Sequence, residues 1–169
     1  GERNIFMISS FGVDEPITEV LKAMKSYNEK VVLYVSGNSK KLDATILKSA
    51  AGNVVFTGFL NEHDFINMLF SVDVIIALTT AESCMLCGCY EAVAAIKPLI
   101  TSDKDVLKEY FPGAVFVDNT ESGIRGGIEL IINNIDYYRD KITALKRNLI
   151  EQWENQCSGL EKQLAELMK

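Results

Sequence analysis

The sequence predicts a doubly wound α/β domain: a six-stranded parallel sheet with helices on both faces and a helical C-terminal tail. Two observations carry this. Six short apolar runs, continuous and rich in Val, Ile and Phe, have the pattern of strands buried on both faces of a parallel sheet. The stretches between them carry apolar residues at helical period, so strand and helix alternate and right-handed crossovers are expected.

In chain order the expected strands are residues 4–9, 30–36, 53–58, 72–78, 99–101 and 114–117. The first helix opens at Asp14-Glu15-Pro16, where Asp14 reads as an N-cap ahead of an acidic first turn and an early proline. Ile17, Val20, Leu21 and Met24 form its inner face. Further helices are expected at residues 42–50, 62–71, 85–96 and 103–110. Residues 121–169 read as two or three helices with no strand. The polar tail from Gln156 onward is expected to pack across the sheet or onto a partner domain, with Trp153, Leu149 and Leu160 as an amphipathic anchor.

A chain of 169 residues is long enough to bury one core, and it shows no repeat, low-complexity segment or linker, so one domain is expected. Apolar residues at 48% and charged residues at 24% exclude wholesale disorder. The net charge of −6, with lysines and arginines scattered, leaves no basic stripe for a nucleic-acid backbone. No apolar run reaches the roughly 18 residues of a membrane helix, and no signal peptide opens the chain. A cytoplasmic setting is therefore expected. Gly1 stands directly before a strand, which sets the expectation of a longer natural protein.

Cys84, Cys87 and Cys89 crowd into six residues, with Cys157 far away. This is not a disulfide framework, and no histidine or second pair completes a tetrahedral zinc set. They read as reduced, metal-free packing residues at a helix start. His63, the only histidine, sits at a helix start, so no Ser-His or Cys-His nucleophile pair is available. Neither GxGxxG nor GxxxxGK[ST] occurs, which removes the dinucleotide and ATP signatures.

Ligands of such sheets bind outside the carboxyl ends of the strands. Small and polar residues gather there: Ser9-Ser10-Phe11-Gly12-Val13-Asp14-Glu15, Ser36-Gly37-Asn38-Ser39-Lys40-Lys41, Gly58-Phe59-Leu60 and Thr79-Thr80-Ala81-Glu82-Ser83. The fourth run leads into a helix that carries Glu91 and stops at Lys97-Pro98. Carboxylates accept hydrogen bonds from sugar hydroxyls, and a helix N-terminus offers free N–H groups to phosphate. The combination points to a nucleotide-sugar site.

At Glu82, Glu91, Ala92 and Pro98, with the stretch VVFTGFLNEHDFINMLFSVDVIIAL before them, the chain resembles the C-terminal, donor-binding half of a GT-B glycosyltransferase of the family-four retaining type. The likeness covers roughly residues 4–135 and implies a Rossmann-like domain. It assigns Glu91 to the donor ribose and Glu82 to the transferred sugar as the catalytic carboxylate. It places the N–H groups of Met85, Leu86, Cys87 and Gly88 at the diphosphate and Gly58 and Phe59 by the base, and it counts Thr79, Thr80, Ser83 and Ser10 among the donor-binding residues. It departs from the family twice. Eight residues rather than seven separate the two glutamates, and the usual Arg and Lys near the first strand are missing, so Lys40 and Lys41 are expected to supply that charge.

The implied reaction is sugar transfer from a nucleotide-diphosphate donor to a glycan or lipid-linked acceptor, as in polysaccharide biosynthesis, with no metal or other cofactor. The implied partners are a missing N-terminal Rossmann domain and, for the whole protein, a peripheral membrane surface. This half alone is expected to bind donor and turn over poorly. A non-catalytic α/β binding or scaffold module and a GT-B nucleotide-sugar epimerase remain alternatives.

Overall fold

The computed structural model describes residues 2–167; Gly1 and the last two tail residues lie outside them. The strands are β1 (Arg3–Met7), β2 (Val31–Ser36), β3 (Val54–Gly58), β4 (Val74–Ala77), β5 (Leu99–Ser102) and β6 (Val115–Val117). The helices are α1 (Ile17–Met24), α2 (Ala44–Ser49), α3 (Glu62–Ser71), α4 (Cys87–Ala94), α5 (Asp105–Tyr110), α6 (Glu121–Asn133) and α7 (Ile135–Leu167). The six strands form one sheet in the order β3-β2-β1-β4-β5-β6, and every neighbouring pair is parallel. The expected doubly wound sheet is what the chain builds.

Burial follows from the strand composition. Alternate residues of the central strands enter opposite cores, as the period-2 geometry of a strand requires. Ile5, Met7, Leu33, Ile76 and Ile100 meet α1 and α6 on one face. Phe6, Ile75, Ala77 and Leu99 meet α3, α4, α5 and the first turns of α7 on the other. The edge strand β3 is only half covered, with Val55 exposed.

Helix starts differ from the sequence expectation where side chains find better partners. Asp14 does not cap α1. Its carboxylate accepts from Thr79 Oγ1 at 2.7 Å across the sheet rim, and Pro16 holds the N-cap position with no side-chain bond. The second helix starts two residues later than expected, at Ala44, because Asp43 caps it, and a separate 3₁₀ turn capped by Asn38 precedes it at Ser39–Lys41. α4 begins two residues later than expected, at Cys87.

The tail departs most. Residues 135–167 are one continuous helix rather than a turn back over the sheet. Ile142 and Leu145 are buried and Leu149 packs against the second core. Beyond them nothing among the described residues covers the helix: Trp153 is 67% and Leu160 57% exposed. The expected anchor reaches the domain only at Leu149.

Two glycines set the close approaches at the strand ends. Gly37 sits at φ +103°, and a Cβ there would stand 2.3 Å from the Ser9 carbonyl oxygen. Gly88 lets α4 rest on the sheet, since its Cβ would meet that of Ala77 at 3.0 Å. Gly37→Ala should lower the unfolding free energy in urea by at least about 2 kcal/mol, from left-handed strain and overpacking together. Gly52→Ala, with open space around it, should be neutral to slightly stabilising in the same measurement.

Candidate functional site

The chain winds outward in opposite directions from the adjacent strands β1 and β4, so their carboxyl ends leave a crevice between diverging loops. Two adjoining clefts occupy it, of about 430 Å³ and about 380 Å³, sharing Ile8 and Ser9 at the end of β1.

The larger cleft has a predominantly apolar wall of Phe59, Leu60 and Phe65, a floor of Ser36 and Gly37, and the Glu91 side chain. α4 carries Glu91 toward this cleft, while Cys89, Ala92 and Val93 of the same helix are buried against the sheet. Glu91 is half-buried, and its Oε2 has no hydrogen-bond partner. Burial pushes its carboxyl above the ordinary value of 4.5. A buried carboxylate oxygen without a donor is costly until one arrives. Gly58, at φ +75°, turns the chain so that Phe59 projects, 88% exposed, at the mouth.

The smaller cleft lies between the β1 loop and the start of α4, lined by Ser9, Ser10, Asp14, Glu15, Cys87 and Gly88 among others. The donors of its β1-loop side are already engaged. The Glu15 carboxylate accepts from Ser10 N at 2.9 Å, Ser10 Oγ at 2.7 Å, Phe11 N at 3.2 Å, and Ser9 Oγ. Phe11, at φ 54°, bends the loop around it. Lys41 reaches in from the far side and donates through Nζ to the Ser10 carbonyl at 2.9 Å. Lys40 is exposed beside it.

The expected site residues are not all brought together. Thr79 is fully buried and committed to Asp14, and Thr80 Oγ1 donates to the Asp14 carbonyl at 3.1 Å. Ser102 and Asn119 complete this pin: Thr79 N donates to Ser102 Oγ, and Asn119 Nδ2 to the Thr79 carbonyl. Both threonines thus tie the β1 and β4 loops together. Glu82 lines neither cleft. Its side chain, 80% exposed, pairs with Lys104 Nζ at 2.5 Å. Ser83 is exposed next to it, Met85 and Leu86 pack against the second core, and Leu86, Cys87 and Gly88 edge the smaller cleft. Counting back seven intervening residues from Glu91 reaches Ser83, not Glu82.

The remaining singled-out groups sit apart. Cys89 is buried, its thiol pushed up to about 12 by desolvation, and it donates to Thr101 Oγ1 at 3.4 Å. Cys87 is exposed. His63 is exposed at the start of α3. Sequence reasoning put Glu15 on the rim but gave it no role beyond the acidic first turn of a helix, and it missed Lys104. The available signal is position: Lys104 lies just past the end of β5, and Glu15 closes the loop that follows β1.

No curated protein sequence matches the chain. Among solved structures it is similar to sucrose-phosphate synthase of Thermosynechococcus elongatus, at 17% identity and TM-score 0.77, over 96% of this chain and 45% of that one. It is also similar to the catalytic domain of cholesterol-alpha-glucosyltransferase from Helicobacter pylori, at 16% identity and TM-score 0.71, over 90% of this chain and 99% of that one. A third is Anabaena Alr3699/HepE, solved in complex with UDP and glucose, at 11% identity and TM-score 0.70, over 90% of this chain and 48% of that one. The chain therefore spans under half the length of the first of these. These likenesses establish the fold. The sequence model of the glycosyl transferases group 1 matches residues 1–148, and the chain belongs to that family.

Proposed function

We propose that this chain is the nucleotide-sugar-binding half of a retaining hexosyltransferase of GT-B architecture. A donor base would lie against Phe59 and Leu60, and its ribose diol would donate to Glu91. The single observation that carries this reading is the unpartnered Oε2 of Glu91, buried in an apolar-walled cleft at the switch point. A diol supplies the two donors that such a carboxylate lacks.

The diphosphate would cross into the smaller cleft, toward the N–H groups at the start of α4 and the Ser10 hydroxyl, with Lys40 and Lys41 supplying positive charge. In this reading no metal or other cofactor takes part. The domain's contribution is electrostatic and positional: it steadies the leaving diphosphate and holds an oxocarbenium-like sugar for the acceptor. Glu82 would reach that sugar on release from Lys104. A preceding Rossmann domain would bring the acceptor, so the half alone would bind donor without efficient transfer. The acceptor would be a glycan or lipid-linked sugar, handled on the cytoplasmic side by a peripheral protein. Among the described residues no helix is long and apolar enough to cross a membrane.

Two observations favour a second reading, a binding module without transfer. Ser83 stands at the family spacing from Glu91, and Glu15 fills the donors of the β1 loop.

Calorimetry separates the two readings. Uridine or guanosine diphosphate should bind the wild type, and Glu91→Ala should weaken binding about 10- to 150-fold, the equivalent of a charge-assisted pair worth roughly 1.5–3 kcal/mol. Equal affinity, or no binding at millimolar ligand, would leave the donor reading without support. If phosphate must displace Glu15, Glu15→Gln should tighten nucleoside diphosphate binding several-fold and leave nucleoside binding unchanged.

The raised carboxyl of Glu91 adds a pH test with a fixed sign. Its folded value lies above 4.5, so its stabilising contribution is complete below the unfolded value and is lost as pH rises through the folded one. Glu91→Gln should therefore raise Tm at pH 7, and the gain should vanish near pH 4.

A further inference from the structure

The larger cleft is one-sided in its hydrogen bonding. Its polar side chains are Ser9, Ser36, Asn61, Glu62 and Glu91. Three of these are engaged within the protein. Ser9 Oγ donates to Glu15 and accepts from Phe11 N. Ser36 Oγ accepts from Ser9 N at 3.3 Å and donates to the Met7 carbonyl at 3.5 Å. Asn61 Oδ1 accepts from Asp64 N at 2.9 Å as the cap of α3, and its Nδ2 donates to Asp64 Oδ2 at 2.8 Å. The hydrogen bonds of this helix start run between Asn61, His63 and Asp64 and leave the exposed Glu62 carboxylate open to the cleft. Two carboxylates, Glu62 and Glu91, therefore remain for a ligand, and an ionised carboxylate only accepts. Among the described residues that line the cleft, none is a lysine, arginine or histidine.

We propose that Glu62 reads the base and that the donor is a guanosine diphosphate sugar. The inference rests on the donor reading above, in which the base lies against Phe59 and Leu60 and the ribose against Glu91. Glu62 is the first residue of α3, two positions beyond Leu60, and so falls at the base end of that arrangement. The pairing edge of guanine carries an N1–H and an N2 amino group side by side, two donors that match the two oxygens of one carboxylate. Uracil offers a single N3–H between two carbonyl oxygens, and those oxygens would meet the negative charge of Glu62. Adenine and cytosine each set one amino group beside a ring nitrogen that accepts, so one carboxylate oxygen is satisfied and the other opposed. A side-chain lining that only accepts suits the ribose diol and, of these four bases, guanine alone. As a first-turn acid Glu62 also complements the dipole of α3, a role indifferent to which base is bound.

Calorimetry with guanosine, inosine and uridine diphosphates reads the base choice directly. Guanosine diphosphate should bind at least about ten-fold more tightly than uridine diphosphate, the discrimination expected of one charge-assisted pair. Inosine diphosphate keeps the N1–H and lacks the N2 amino group, and it should fall between them. Glu62→Gln should weaken guanosine diphosphate by about that same factor and leave the affinity for uridine diphosphate unchanged. A role in the helix start alone would move all three ligands together. Uridine diphosphate binding as tightly as guanosine diphosphate, or an unchanged ratio in Glu62→Gln, would overturn the base assignment and leave the donor reading standing. No binding of any of the three at millimolar ligand would remove both.

Discussion

The parallel pairing of β1 with β4, in the register Ile5 to Val74 and Met7 to Ile76, governs the rest of the molecule. The chain leaves β1 toward β2 and β3, and leaves β4 toward β5 and β6, so no loop bridges the carboxyl ends of this one pair from above. Closing the remaining gap falls to small contacts. Thr79, Asp14, Ser102 and Asn119 tie the two loops, and Gly88 brings α4 down onto Ala77. Without that glycine the helix would stand off the sheet, and Glu91 would leave the cleft it now enters.

Two carboxylates then decide what the crevice can accept, and they act in opposite ways. Glu91 is held partly out of water without a donor, so its ionised form is disfavoured and any ligand hydroxyl that bonds it gains. Glu15 has an excess of donors, and its charge sits where an incoming anion would have to lie. A neutral sugar or nucleoside meets only the first of these. A diphosphate meets both, and must offer the β1 loop more than Glu15 already does. Lys41 at the Ser10 carbonyl is the nearest cation to tip that balance.

The buried strands and the position of Glu91 were legible because each depends on local pattern. A continuous run such as Val74-Ile75-Ile76-Ala77 has few other homes, and a carboxylate on a helix directly after such a strand points back toward its end. The role of Asp14 was not legible. Asp-Glu-Pro before an apolar period is a sound helix-start signal, yet the competing partner, Thr79, lies 65 residues away and only the sheet brings it near. The pairing of Glu82 was not legible for a related reason. Its neighbour Lys104 comes from the loop after β5, and a solvent-exposed carboxylate turns to the nearest ammonium rather than to a cleft it does not line.

The tail shows the limit of reading burial from periodicity. Apolar residues at helical spacing state that a face needs covering, and they do not state by what. Leu145 and Leu149 are met by the second core, and the same helix then carries Trp153, Leu160 and Leu164 into solvent with no change in local composition to mark the transition. The spacing does not change either. Ile135, Tyr138, Ile142, Leu145 and Leu149 already recur at steps of three and four against the domain's two cores, and the residues after Ile150 repeat the same steps in solvent. The repeat fixes which face of α7 is apolar, and where the domain surface ends decides how much of that face it covers.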